Sequence, residues 1–182
     1  LESNTNQVNE LTQLIVQVNE RISALQSGPA SGGFNALLDR REILLKDLSK
    51  IVSVSTIEQD DGQIKVFVGK GQPLIRGSES AEMGVSSAGE ITLRPVGSQV
   101  TQNVTASING GEIGGILKYR EEVLWPTQNE LGRLAAALSS SFNAQHAAGI
   151  DLDGQFGQQF FRDVNDPALV SQRVSYLGNS GA

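Results

Sequence analysis

His146 is the only histidine in the chain, and Ser139, Ser140 and Ser141 lie just before it. A serine, a histidine and a carboxylate are the machinery of acyl transfer. The pattern does not support that chemistry. No strand-turn-helix nucleophile motif surrounds any of the three serines, and closeness on one helix does not create triad geometry. A histidine at a helix C-terminus, where its charged form meets the helix dipole, needs no catalytic role. Asp151-Leu152-Asp153-Gly154 begins like a calcium loop, which requires Gly at the sixth position and Glu at the twelfth. Those positions hold Phe156 and Arg162, so the segment reads as a tight turn. Gly69-Lys70-Gly71 follows a strand pattern, as a phosphate loop would, but neither the Gly-Lys-Ser/Thr signature nor a helix follows it. Two glycine pairs, Gly110-Gly111 and Gly114-Gly115, open a helix without a lysine. Small residues there suit a close-packed strand-to-helix turn. The carboxylates Glu121-Glu122, and Asp39 with Glu42, fall on solvated helix faces, whereas acid–base work needs burial or a shared cleft. Asn103-Val104-Thr105 matches a glycosylation triplet too short to carry an inference. The residues therefore point to no catalytic group, no metal and no cofactor, and the protein is expected not to be an enzyme.

The composition narrows the classes further. The chain has 182 residues, a formal charge of −6, 38% hydrophobic residues and 5% aromatic residues. That length supports one or two domains with a real core. An acidic balance without clustered Lys and Arg excludes a nucleic-acid partner. With no cysteine, thiol chemistry, thiolate metal sites and disulfides are all excluded. No apolar run approaches the roughly 18 residues of a membrane helix, so no membrane insertion is expected. The chain starts in helical register without Met and ends on Gly178-Asn179-Ser180-Gly181-Ala182, and it reads as a piece of a longer protein.

The elements follow from periodicity. Leu1, Val8, Leu11, Ile15, Val18, Ile22 and Leu25 recur at helical spacing, with Asn4 on the same seam. Gly28-Pro29 ends that helix, and Ala30 to Gly33 form a loop. A second helix over about 35–50 carries Phe34, Leu37, Leu38, Leu44, Leu45, Leu48 and Ile51, interrupted by Arg41, which is expected to snorkel or pair at the bundle edge. The short connection makes the two helices antiparallel. From Val52 the period becomes two, with a hairpin turn at Asp60-Asp61-Gly62 and strands around Ile64–Val68, Ala81–Val85, Glu90–Arg94 and Val100–Ile108. One antiparallel sheet of four or five short strands is expected. Helix resumes at Glu112. Pro126 either starts a new helix in its first turn, the preferred reading, or kinks one helix. Leu131, Leu134, Leu138 and Phe142 continue the helical stripe, and Val174 to Leu177 read as a strand.

The expected fold is α+β, an elongated antiparallel helical bundle with an inserted small antiparallel sheet. Residues 1–50 with 110–162 form the bundle, 51–109 the insertion, and 163–182 the start of an outer domain or tail. Val8, Leu11, Ile15, Val18, Ile22, Leu37, Leu44, Leu48, Leu131, Leu134, Leu138 and Phe142 are the expected packing residues.

Several motifs resemble one family in order and spacing. They are Val8-Asn9-Glu10-Leu11-Thr12, Asn35-Ala36-Leu37-Leu38-Asp39-Arg40-Arg41-Glu42, Gln59-Asp60-Asp61-Gly62 with Val66-Phe67-Val68 and Gly71-Gln72-Pro73-Leu74, and Gly111-Glu112-Ile113-Gly114-Gly115-Ile116-Leu117 with Arg120. The most specific is Phe142-Asn143-Ala144-Gln145-His146 followed by Gly149, Asp151, Gly154 and Phe160-Phe161. Together they resemble the flagellar hook-associated proteins of the FlgK type. Glu42 stands where that family usually has Asp, and Trp125 where it often has Asp before its Pro. The resemblance implies an extracellular structural role at the junction of hook and filament. It implies partners: neighbouring copies in a ring, the hook protein, a second junction protein, and an export chaperone acting on terminal segments outside this chain. It also implies passage through the flagellar export channel, which a cysteine-free chain poor in aromatics suits. The alternative is an extracellular adhesin-like binding module with a helical stalk.

Overall fold

The computed structural model describes residues 1–26, 33–150 and 152–170. Its elements are α1 (Glu2–Gln26), α2 (Phe34–Ile51), β1 (Val54–Glu58), β2 (Ile64–Val68), β3 (Gln72–Arg76), β4 (Glu79–Ser80), β5 (Glu82–Val85), β6 (Ile91–Arg94), β7 (Gln102–Asn103), α3 (Gly111–Tyr119), α4 (Trp125–Ala147) and α5 (Pro167–Val170). Gly28-Pro29, Asp151 and Val174 to Leu177 lie outside the described residues. The chain divides into two units, Leu1–Glu121 and Glu122–Ala182. In the first unit the apolar residues of the helices and of both sheets join one core, running from Val8 through Leu74 and Leu93 to Leu117. Short sheets with one apolar face gain stability by sharing a core with helices.

The buried face of α1 alternates apolar and polar heptad rows, with Val18 buried beside them. Leu1, Val8, Ile15 and Ile22 supply the apolar positions, and Thr5, Thr12 and Asn19 supply the positions between them. Only the apolar half of this seam is visible as hydrophobic periodicity. The polar half survives burial because each group finds a partner. Thr5 Oγ1 donates to the carbonyl of Glu2 at 2.9 Å, and Thr12 Oγ1 to that of Asn9 at 2.9 Å. Asn19 Nδ2 donates to the carbonyl of Ile64 at 3.0 Å. Asn4 shares its heptad row with Leu11 and Val18 and donates to Glu112 at 2.8 Å, joining α1 to α3.

Of the two expectations for Arg41, snorkelling and pairing, the structure shows pairing. The arginine is 7% exposed, and its Nη1 donates to the carbonyl of Gly62 at 2.6 Å and to Asn19 Oδ1 at 3.4 Å. Its Nη2 lies 3.6 Å from Glu58. Burial lowers the guanidinium pKa and Glu58 opposes that shift; an arginine keeps its charge regardless. One side chain thus ties α1, α2 and the β1–β2 hairpin together. The hairpin turn is where Asp60-Asp61-Gly62 places it, with Gly62 at φ 72° and the amide of Gln59 donating to the carbonyl of Gln63 at 2.8 Å.

There are two sheets rather than one. The order is β1-β2-β3-β4 in the first and β5-β6-β7 in the second, with neighbours antiparallel. β3 occupies the stretch around Pro73, where glycine and proline mask the strand signal. A register shift opposite Val66/Phe67 makes room for Pro73 and lets the adjacent Leu74 and Ile75 both be buried. The expected strand Val100–Ile108 is reduced to β7 followed by a 3-10 turn at Thr105–Ser107. There the hydroxyl of Thr105 replaces a backbone partner and accepts from the amide of Ile91 at 2.8 Å. Gly111 begins α3 at φ 70°, and a Cβ there would sit 2.5 Å from the backbone carbon of Ile51. Only glycine permits that approach of α3 to the end of α2.

Pro126 lies in the first turn of a new α-helix, as the preferred reading has it. The residues before α4, Arg120–Leu124, are a π-helical segment. Proline lacks the amide that the carbonyl four residues back would accept from, and wider turns absorb such a defect.

Arg41→Ala leaves the Gly62 carbonyl and Asn19 Oδ1 without their donor. It is expected to lower stability by about 1–3 kcal/mol in urea unfolding, whereas Arg40→Ala, on the exposed face of the same helix, should stay within about 0.5 kcal/mol.

Candidate interaction surface

α4 presents a row of exposed leucines. Leu131 and Leu134 are 66% exposed and Leu138 is 62% exposed. Phe142, one turn further, is half exposed and packs on Phe160 and Phe161, with ring centroids 5.8 and 5.6 Å away. All four, expected as bundle packing residues, are exposed in this structure. Their spacing marks an amphipathic helix, but spacing does not specify what covers the apolar side. Of the other expected packing residues, Val8, Ile15, Val18, Ile22, Leu44 and Leu48 are buried, and Leu11 and Leu37 are partly buried against the same core.

Beyond α4 the chain turns back along the helix. The turn needs glycine: the amide of Gly157 donates to the carbonyl of Gly149 at 2.9 Å, and a Cβ on Gly157 would lie 2.1 Å from the carbonyl oxygen of His146. Ile150 and Phe156 form a short antiparallel bridge. Asn143, 9% exposed, then holds the returning segment with both ends of its amide. Its Nδ2 donates to the carbonyl of Phe161 and its Oδ1 accepts from the Phe161 amide, each at 2.7 Å. His146 Nδ1 lies 2.6 Å from the carbonyl of Gln158. Ser139 Oγ lies 3.5 Å from the carbonyl of Arg162.

This arrangement gives His146 and Ser139 backbone partners rather than each other. The described residues contain no group of three or more His, Asp or Glu side chains placed to hold a metal ion. Glu121, Glu122, Asp39 and Glu42 are exposed, as is Lys70. What the side chains do around α4 is hold a folded-back segment and display apolar surface. Asn143 was visible only as part of the Phe142-to-His146 motif, and its role as a clamp needed the position of Phe161. Asn9 does the same work in the first unit: Nδ2 donates to the carbonyl of Met83 and Oδ1 accepts from its amide, each at 2.8 Å.

The model of the flagellar hook-associated protein FlgK helical domain matches residues 1–161. The chain belongs to the FlgK family. Flagellar hook-associated protein 1 of Salmonella typhimurium is 34% identical over 175 residues, which is 93% of this chain and 32% of that protein. The Escherichia coli K12 protein of the same name is 32% identical over 174 residues, covering 92% of this chain and 32% of that protein. Among solved structures, the flagellar hook junction protein FlgK from Burkholderia pseudomallei matches with a TM-score of 0.78 and 33% identity, over 86% of this chain and 29% of that one. The chain thus spans about a third of the length of these relatives. An α+β arrangement of helices with small antiparallel sheets is this FlgK-family fold.

Asn143→Ala is expected to raise hydrogen exchange at the Phe161 amide by roughly 10- to 100-fold, the equivalent of losing a buried pair of hydrogen bonds. Leu134→Ser, on the exposed row, should change stability by no more than about 0.5 kcal/mol. Amide-resolved exchange and urea unfolding of the two variants check both.

Proposed function

We propose that the protein containing this chain is a structural component of the bacterial flagellum, joining hook to filament and required for the filament to assemble on the hook. The observation that carries this reading is membership of the FlgK family over residues 1–161. The exposed leucine row of α4 supports it from the physical side. A helix that shows Leu131, Leu134 and Leu138 to solvent is suited to a subunit that packs into a larger array, because exposed apolar rows of this kind mark contact surfaces. Single lateral contacts in such an array are weak and are multiplied by repetition.

In this reading the partners are neighbouring copies in a ring, the hook protein and a second junction protein, and an export chaperone engages segments outside this chain. The site of action is extracellular, reached through the flagellar export channel. The absence of cysteine suits a chain that crosses that channel unfolded. No helix among the described residues is long and apolar enough to cross a membrane. The adhesin-like alternative draws no support from the family match. The role is mechanical and requires no catalytic group.

Deletion of the parent gene is expected to leave hooks without filaments and to release flagellin into the medium, seen by electron microscopy and by blotting. The full-length gene restores filaments. Normal filaments and motility in the deletion strain, with no second gene copy, would defeat the junction reading.

A further inference from the structure

Each of the two sheets has two edge strands, and three of these four edges are closed or cut short. β5 is covered by Asn9, whose amide takes both the amide and the carbonyl of Met83. β4 and β7 are two residues long. β1 is different. It has five residues, pairs only with β2, and exposes Ser55, Thr56, Ile57 and Glu58. Among the described residues nothing hydrogen-bonds to its outer side.

The direction of its backbone groups follows from the ladder. The amide of Gly69 donates to the carbonyl of Ser53, and the amide of Gln59 donates to the carbonyl of Gln63. In an antiparallel pair, bonded and non-bonded positions alternate. Ser55 and Ile57 therefore bond to β2, and the amides and carbonyls of Val54, Thr56 and Glu58 point outward. A row of outward backbone groups of this length is a template for another strand, and proteins ordinarily suppress it.

The space beside this edge is shaped. A groove of about 350 Å³ runs between α2 and β1. Leu38, Leu45 and Ile64 give it an apolar lining, and Asp39, Glu42 and Glu58 give it an acidic rim. Arg41 also lines it, but that guanidinium is already engaged with Gly62, Asn19 and Glu58. Residues of an added strand that oppose Val54, Thr56 and Glu58 project on the groove side, because opposed residues in a sheet share a face.

We propose that β1 is a docking edge for an extended segment of another polypeptide, added as a fifth strand, with basic and apolar side chains alternating into the groove between α2 and β1. Backbone bonds supply the affinity and the groove supplies the selection. A second copy of β1 is a poor occupant, since it would bring its own Glu58 to the same acidic rim. The acidic rim selects lysine or arginine at groove-facing positions.

The test uses the full-length protein that contains this chain and the probe peptide Thr-Lys-Thr-Val-Thr-Lys-Thr, with a Glu-for-Lys peptide as its counterpart. In the free protein, the amides of Val54, Thr56 and Glu58 exchange rapidly with solvent. The lysine probe protects them and binds at least about tenfold more tightly than the glutamate probe, a difference of one favourable charge-assisted contact. Thr56→Pro removes an outward amide without touching the internal ladder, so unfolding is little changed while probe affinity drops by about tenfold or more. The double variant Asp39→Lys with Glu42→Lys leaves the backbone intact and shifts preference toward the glutamate probe. Three results overturn the proposal: equal binding of both probes, binding unaffected by Thr56→Pro, or amides at Val54, Thr56 and Glu58 already protected before any probe is added. The last would show that the edge is filled by another part of the same protein.

Discussion

A helix cannot hydrogen-bond to an extended strand through its backbone, because its own amides and carbonyls are already paired along its length. This fold places helices against strands and returning segments throughout, so side chains must make the connection. Asparagine does it, since one amide offers a donor and an acceptor side by side, matching one extended residue's carbonyl and amide. Asn9 takes both groups of Met83, and Asn143 takes both groups of Phe161. Asn19 makes half of the same contact with the carbonyl of Ile64 and gives its oxygen to Arg41. Each contact satisfies backbone groups that would otherwise be desolvated without partners. The contacts are also directional, so they set the axial position of a strand on a helix, which apolar packing alone leaves loose.

The same constraint explains the polar half of the α1 seam. A helix with leucine at every heptad position would bind any apolar surface in several registers. Thr5, Thr12 and Asn19 interrupt the apolar row at each repeat. The threonines are closed on the helix's own carbonyls and act as small, neutral fillers. Asn19 is not neutral. Displacing β2 by one residue along the helix would remove its acceptor at Ile64 and would move Gly62 from the reach of Arg41. The buried polar pair therefore selects one register at some loss of apolar contact, the use of buried polarity best attested in coiled coils.

Much of this was legible in the sequence. The helices of the first unit followed from the apolar spacing of Val8, Ile15 and Ile22 and of Leu44, Leu48 and Ile51, and the hairpin from Asp60-Asp61-Gly62. β3 was hidden because Pro73 suppresses the strand signal, and only its position at a register shift makes it tolerable. The break between two sheets was hidden because strand periodicity reports which face is buried and not which strand is the neighbour. The π-helical segment was hidden because a proline within a helical pattern has several solutions, and local sequence does not choose among wide turn, kink and restart. The clamps were hidden as well, since an asparagine in a helix has no periodic signature and its partner lies 74 residues away for Asn9 and 18 for Asn143.

The leucine row of α4 shows the limit of periodicity most plainly. Leu131, Leu134 and Leu138 have the same three-four spacing that buries residues on α1 and α2, yet they stay at about two-thirds exposure. Spacing encodes that a helix has an apolar side; it carries no statement about whether the covering surface belongs to the same stretch of chain. Where a chain spans about a third of its relatives, the two cases have the same pattern. They differ in their neighbours. On α1 the apolar row is accompanied by polar residues that reach specific partners on other elements, Asn9 to Met83 and Asn19 to Ile64. On α4 the polar contacts with the returning segment gather at the far end of the row, Ser139 to the carbonyl of Arg162 and Asn143 to Phe161. Directional polar contacts beside an apolar row thus mark a surface already committed to one neighbour.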